Sequence, residues 1–305
     1  MRLPIASLAV ALLAGCATGG RAPLPPVGTP LPVPEEAEQD PLAKYPELLR
    51  LPGHLVDVSY VPGALDRAAH VQKRLDGVVE ALEPLVKGHP VTLRAIVLDR
   101  EGWEGARFAR GWGLPARSAP EVLAAPAEGD PDTVGRMRAL TGGWLPDVPG
   151  EVLRGTPEGA ASLMVSDALL QLEAAAALRE QLGIRGSEPW ITALLDHLLA
   201  RLAWERTDPG GMAAIANLFD RMAVTAQAGV LPRLEDYRAD LPLEQALAWH
   251  GAFLRGADRV WVEKGNRGLM RWFVARSRTI ARVTPEDLWE EAPDLAAWRA
   301  ESFAP

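Results

Sequence analysis

Residues 45–305 read as an α+β fold, with a small N-terminal βαβ-type sheet region followed by a larger all-helical part. Three observations predict it. Two short β-type runs flank one helix-type stretch near the start. Proline and glycine punctuate 100–155. From 156 onward, helical spacing of apolar residues persists to the end.

The elements follow in order. HLVDVSYV (54–61) alternates Leu55, Asp57 and Ser59 with Val56, Val58 and Tyr60, the period-two pattern of a half-buried strand. Between Pro62 and Gly88, Leu65, Ala68, Leu75, Val78 and Leu82 recur at helical spacing, and Gly88 stops the helix. VTLRAIVLD (91–99) is β-branched and reads as a second strand, completing β-α-β. Within 100–155, EVLAA (121–125) reads as a third short strand and TVGRMRAL (133–140) as a short helix. So irregular a segment is either functional or a loose insertion. Thr156-Pro157-Glu158 is a helix start, with threonine as cap and proline at the first helical position. The helix to Leu182 is apolar nearly all round, as a buried central helix is. Further helices are expected at about 188–206, 210–228, 243–256, 265–280 and 285–301.

The N-terminus belongs to no fold. MRLPIASLAVALLAGC has one charged residue, an apolar run from Ile5 to Leu13, and Leu13-Ala14-Gly15 ahead of Cys16, the single cysteine. The run is too short to span a membrane, which takes about 20 residues, so 1–15 is a processing signal. Leu13-Ala14-Gly15-Cys16 resembles the lipobox of bacterial lipoproteins. That resemblance implies acylation of Cys16, anchoring in the bilayer and residence in the cell envelope. Ala17, rather than aspartate, after the cysteine implies the outer membrane. Several acyl chains on one residue anchor stably, where a single chain binds only marginally. With Cys16 acylated, no thiol remains for a disulfide, a metal or catalysis. Residues 16–44, dense in proline and glycine, read as a tether. The folded chain then divides into an N-terminal α/β part, 45–155, and a helical part, 156–305, in one continuous globular domain. A formal net charge of −8 argues against nucleic acid as a partner and against electrostatic adhesion to anionic lipid.

LMVSDALLQLEAAAALREQL (163–182) followed by EPWITALLDHLLARLAWE (188–205) carries a second resemblance, to gluzincin metallopeptidases of the peptidase-MA type. In that family a βαβ-like part precedes a buried helix bearing His-Glu-x-x-His. A Pro-Trp segment then opens a second helix with the third ligand, and helices follow, so the order here is zincin-like. Two histidines at i and i+4 share a helix face and take two corners of a zinc tetrahedron, while the glutamate activates the bound water. Laid on this chain, the resemblance places Ser166, Asp167 and Leu170 at the motif, Pro189-Trp190 at the second helix start and Ala193 at the third ligand. Both histidines and the third-ligand glutamate are absent, which implies a pseudo-enzyme that binds or scaffolds and takes no metal or cofactor.

Two other readings stand beside it. An active zinc peptidase or other hydrolase with a divergent site would use Asp167, Glu173 and His197. A cell-wall or glycan-binding module would present Trp103, Trp112 and Trp144, which otherwise pin their loop to the core. The other histidines, His54, His70, His89 and His250, are dispersed in sequence. Asp167 is either the remnant of a general base or a buried carboxylate paired with arginine. Arg267, Arg271, Arg278 and Arg282 share one helical face, which is either solvated or a dock for an acidic partner. Partners are therefore the bilayer, through Cys16, and an envelope protein or cell-wall component.

Overall fold

The computed structural model describes residues 45–304 apart from 46, 109, 142, 144–156, 228–230, 239–240, 242 and 280–281. Cys16, the tether, Trp144 and the Thr156 cap lie outside the described residues. Contacts divide the chain after Asp40, and the unit described is Pro41–Pro305.

A five-stranded mixed sheet occupies the N-terminal part, in the order β1-β2-β3-β5-β4. Its three central strands, β2 (Asp57–Tyr60), β3 (Arg94–Leu98) and β5 (Val122–Pro126), are parallel neighbours and coincide with the three expected runs. Apart from exposed Asp57, buried Ser59 and half-buried Arg94, their side chains are apolar and buried, as a parallel sheet covered by helices requires. Two edge strands were not expected. β1 (Leu49–Leu51) pairs antiparallel with β2, and β4 (Ala116–Ala119) pairs antiparallel with β5. Neither three residues of LRL nor the small, polar ARSA carries a strand signature, so pairing with a formed neighbour makes them strands.

Helix α1 (Leu65–Ala81) crosses from β2 to β3 and buries Ala68, Val71, Leu75 and Val78. The expected single helix breaks at Leu82, because Pro84 lacks an N–H, and resumes as α2 (Glu83–Val86). The irregular segment is more ordered than its composition suggests. It holds α3 (Arg100–Ala106), the β4–β5 hairpin and α4 (Pro131–Thr141).

The helical part follows. Helix α5 (Pro157–Gln181) is long and apolar enough to cross a membrane by length and composition, yet 89% of its most apolar stretch is buried in the fold. It is the central core helix that its all-round apolarity predicts. It packs against β5, α1, α4 and α6 (Pro189–Thr207), and α7 (Pro209–Gln227) and α8 (Leu243–Ser277) pack on α6. Two helices were expected where α8 runs as one element. Gly256 does not end it; its missing side chain admits the Trp298 ring, which a Cβ there would meet at 2.7 Å. The interruption comes at Gly265, whose φ of 66° and ψ of 169° kink the helix. The last expected helix is also two, α9 (Pro285–Glu291) and α10 (Leu295–Ser302), split around Pro293. Thr284 caps α9 through a reciprocal box with Asp287.

Candidate functional site

A cleft of about 700 Å³ opens between the β4–β5 side of the sheet region and helices α5, α6 and α8. Helix α5 contributes Leu169, Leu172, Glu173 and Ala176, and α6 contributes Thr192, Ala193, Asp196 and His197. Trp112 and Leu114 form an apolar wall, with Tyr237 and His250 on the remaining side.

Four acidic groups of the cleft, Asp130, Glu173, Glu180 and Asp196, are engaged. Glu173 accepts from Arg110 at 2.8 Å on one carboxylate oxygen and from Arg117 at 3.1 Å on the other. Arg117 reaches on to Glu180 at 2.8 Å. Asp196 meets the Arg179 Nε at 2.5 Å, and the Arg179 Nη1 donates to the Ile184 carbonyl at 2.6 Å. Burial pushes the Asp196 carboxyl up to about 6, with Arg179 opposing the rise. Asp130 accepts from Arg100 on one oxygen and from the Thr133 amide and hydroxyl on the other.

Two histidines from distant parts of the chain meet here. His197 is buried, and its Nδ1 lies 2.7 Å from the Ala193 carbonyl. A carbonyl only accepts, so Nδ1 carries the proton and Nε2 has the lone pair. That Nε2 lies 3.1 Å from the His250 Nδ1, which must then donate. The chain of tautomers leaves His250 with its acceptor nitrogen at Nε2. Desolvation drives both imidazoles toward the neutral form, taking His197 down to about 4 and His250 well below its usual value. Phe253 lies under the pair with its ring centroid 5.4 Å from His197, and Phe219 stacks on His250 at 6.1 Å. The Tyr237 phenol, between Trp249 and Phe253, is pushed up to about 12 by burial and then by the charge of Asp196.

The positions singled out from the sequence scatter around this cleft. Ala193 and His197 line it. Ser166 and Leu170 do not; both are completely buried on other faces of α5, and the Ser166 hydroxyl has no hydrogen-bond partner. The i, i+4 pair that α5 turns toward the cleft is Leu169 and Glu173, one turn further on. A helix apolar on every side gives no mark of which face lines a cavity. Asp167 points elsewhere, to α1, with Arg67 Nη1 at 2.7 Å and His70 Nε2 at 2.7 Å. Burial raises its carboxyl, but the Arg67 charge and the His70 hydrogen bond outweigh this and hold it below the ordinary value. Asp167, Glu173 and His197 thus have three separate sets of partners. Among the described residues, no three His, Cys, Asp or Glu side chains gather closely enough to hold a metal.

Of the tryptophans, Trp112 is half-buried on the cleft wall. Trp103 is 3% exposed, donates to the Arg110 carbonyl at 3.1 Å and packs on Phe108 and Trp112. It pins the loop and offers no ring face to a glycan, which corrects the expectation of a platform built on it. Arg110, Arg117 and Tyr237 were missed, because nothing local in the sequence joins them to α5 or α6.

Asp196 provides a direct check. Its folded form holds a proton more tightly than the unfolded chain does. Its contribution to stability is therefore complete below about pH 4 and is lost as pH rises through about 6. We expect a carbon-13 carboxyl resonance with a midpoint near 6 that disappears in Asp196→Asn, and a stability of that variant relative to wild type that rises between about pH 4 and 6 and levels off above. A carboxyl titrating near 4 refutes this.

No protein-family model matches this chain, and no curated protein matches it.

Proposed function

We propose that the chain is a lipid-anchored protein of the cell envelope, held through acylated Cys16 at the outer membrane. Its domain, a pseudo-peptidase-like fold of zincin-like order, binds or scaffolds a partner in the Trp112 cleft without turning it over. The anchoring rests on Leu13-Ala14-Gly15-Cys16. The non-catalytic reading rests on one observation: the groups that α5 and α6 aim into the cleft already have partners. Both oxygens of Glu173 hold guanidinium donors, Asp196 holds Arg179, and His197 holds His250. A carboxylate whose lone pairs face arginines is poorly placed to activate water. The same arrangement suits recognition, since the rigid arginine forks and Trp112 offer polar and stacking contacts at little entropic cost.

The hydrolytic alternative has its own supporting observation, the His197–His250 chain that leaves an acceptor nitrogen on a cleft residue. Metal analysis and fatty-acid labelling separate the readings. Our reading expects label on the wild-type chain but not on Cys16→Ser, and no stoichiometric zinc. One zinc per chain that is lost on His197→Ala would overturn the non-catalytic reading, and an unlabelled wild-type chain would overturn the anchoring.

A further inference from the structure

Past the kink at Gly265, α8 turns a basic face outward. Arg267, Arg271 and Arg278, the last just beyond the final helical residue Ser277, are exposed. At 100° per residue they lie within about 40° of one another. Half-buried Val274 falls between them on the same face, with Met270 and exposed Ala275 at its margins. Arg282 is exposed shortly after the helix ends, beside the Val283 bridge to Gly186. Neighbouring cations are paired: Arg276 with Asp287, Lys264 with Glu291, and Arg259 with Glu301. None of the four exposed arginines has an acidic partner among the described residues, and the one contact within the group runs from the Arg271 Nε to the Arg267 carbonyl.

Three arginines on one helical face with no acidic partner among the described residues, and Arg282 beyond its end, stand out in a chain with a net charge of −8. The excess negative charge elsewhere repels an anionic surface only within a Debye length, about 8 Å at physiological salt. The face nearest the surface therefore decides the interaction. Arg267, Arg271 and Arg278 line neither the Trp112 cleft nor the shallow cleft that Arg282 shares with Arg185 and Glu188; they form a helical face with a partly exposed aliphatic row among guanidiniums. It matches the interfacial arrangement in which basic groups meet headgroups and an apolar row meets the acyl boundary.

We propose that the Arg267–Arg271–Arg278 face of α8, extended by Arg282, docks on anionic lipid headgroups. This rests on the anchoring reading above. Each arginine strengthens binding to an anionic surface roughly fivefold, and a tethered domain meets the bilayer at high effective concentration, so a strip too weak to bind alone suffices to orient it.

The test uses the full acylated chain in vesicles of phosphatidylethanolamine with phosphatidylglycerol, and in vesicles of phosphatidylcholine alone. Ala275→Cys adds one labelling site, because the chain's single native cysteine is acylated. A fluorophore there reports energy transfer to headgroup-attached acceptors. We expect severalfold higher transfer in the anionic vesicles, falling to the neutral level in 0.5 M salt and in the R267E/R271E/R278E variant at unchanged circular dichroism. A chain that floats with both vesicle types but shows equal transfer overturns the docking and leaves the anchoring intact. A chain that floats with neither overturns both.

Discussion

Replacing Asp167 by alanine lowers the unfolding free energy by about 3–5 kcal/mol, the cost of leaving a buried partner charge alone. The charge left behind is Arg67, whose side chain is 5% exposed and whose Nε already donates to the Pro126 carbonyl at the end of β5. Asp167 therefore joins the central helix to α1 and, through Arg67, to the sheet. The double variant Arg67→Met/Asp167→Leu removes both charges and fills the volume, so most of the loss should return, as apolar replacements of buried pairs commonly allow. Chemical denaturation of the three proteins checks this. A single variant as stable as wild type refutes the structural role and reopens Asp167 as a functional group. The acid limb follows with its sign. The folded Asp167 pKa is depressed, so its contribution is complete above the unfolded value near 3.8 and is lost as pH falls through the lower folded value.

The second large effect belongs to Phe253. It is completely buried on α8 and touches His197, Tyr237, Trp249 and Trp298. Phe253→Ala should cost about 3–5 kcal/mol through lost burial and the cavity left behind. Its place under the histidine pair adds a local signature that a generic core deletion lacks. With space and water admitted beside His197, the desolvation that takes that imidazole down to about 4 relaxes, and its titration moves toward the usual 6.5. Unfolding curves and the histidine ring resonances measure the two effects. Lost stability with an unmoved His197 titration would show that Phe253 does not seal the cleft floor.

How much of this was legible in the sequence depends on the range of the interaction concerned. The parallel strands announced themselves through β-branched runs, and the helices through spacing and proline or glycine ends. β1 and β4 did not, because LRL and ARSA become strands only when a neighbour supplies hydrogen-bond partners. In the cleft, Ala193 and His197 could be named from the helix that follows Pro189-Trp190. The pairing of His197 with His250 could not, since 53 residues separate the two. The face of α5 that lines the cleft was hidden for a related reason. Faces of an amphipathic helix can be told apart by composition, whereas Ser166, Leu169, Leu170 and Glu173 sit on a helix that is buried nearly all round.

The pairing of α1 with α5 also bears on how the chain matures. His70 and Asp167 are 97 positions apart, and Arg67 is as remote from the carboxylate that neutralises it. As the chain emerges from its N-terminus, the strands and α1 arrive with the Arg67 guanidinium and nothing yet to compensate it. The sheet region is therefore not an autonomous folding unit. A fragment ending near residue 155 should behave as a client of chaperones and proteases, and the native state becomes accessible only after the central helix has been delivered.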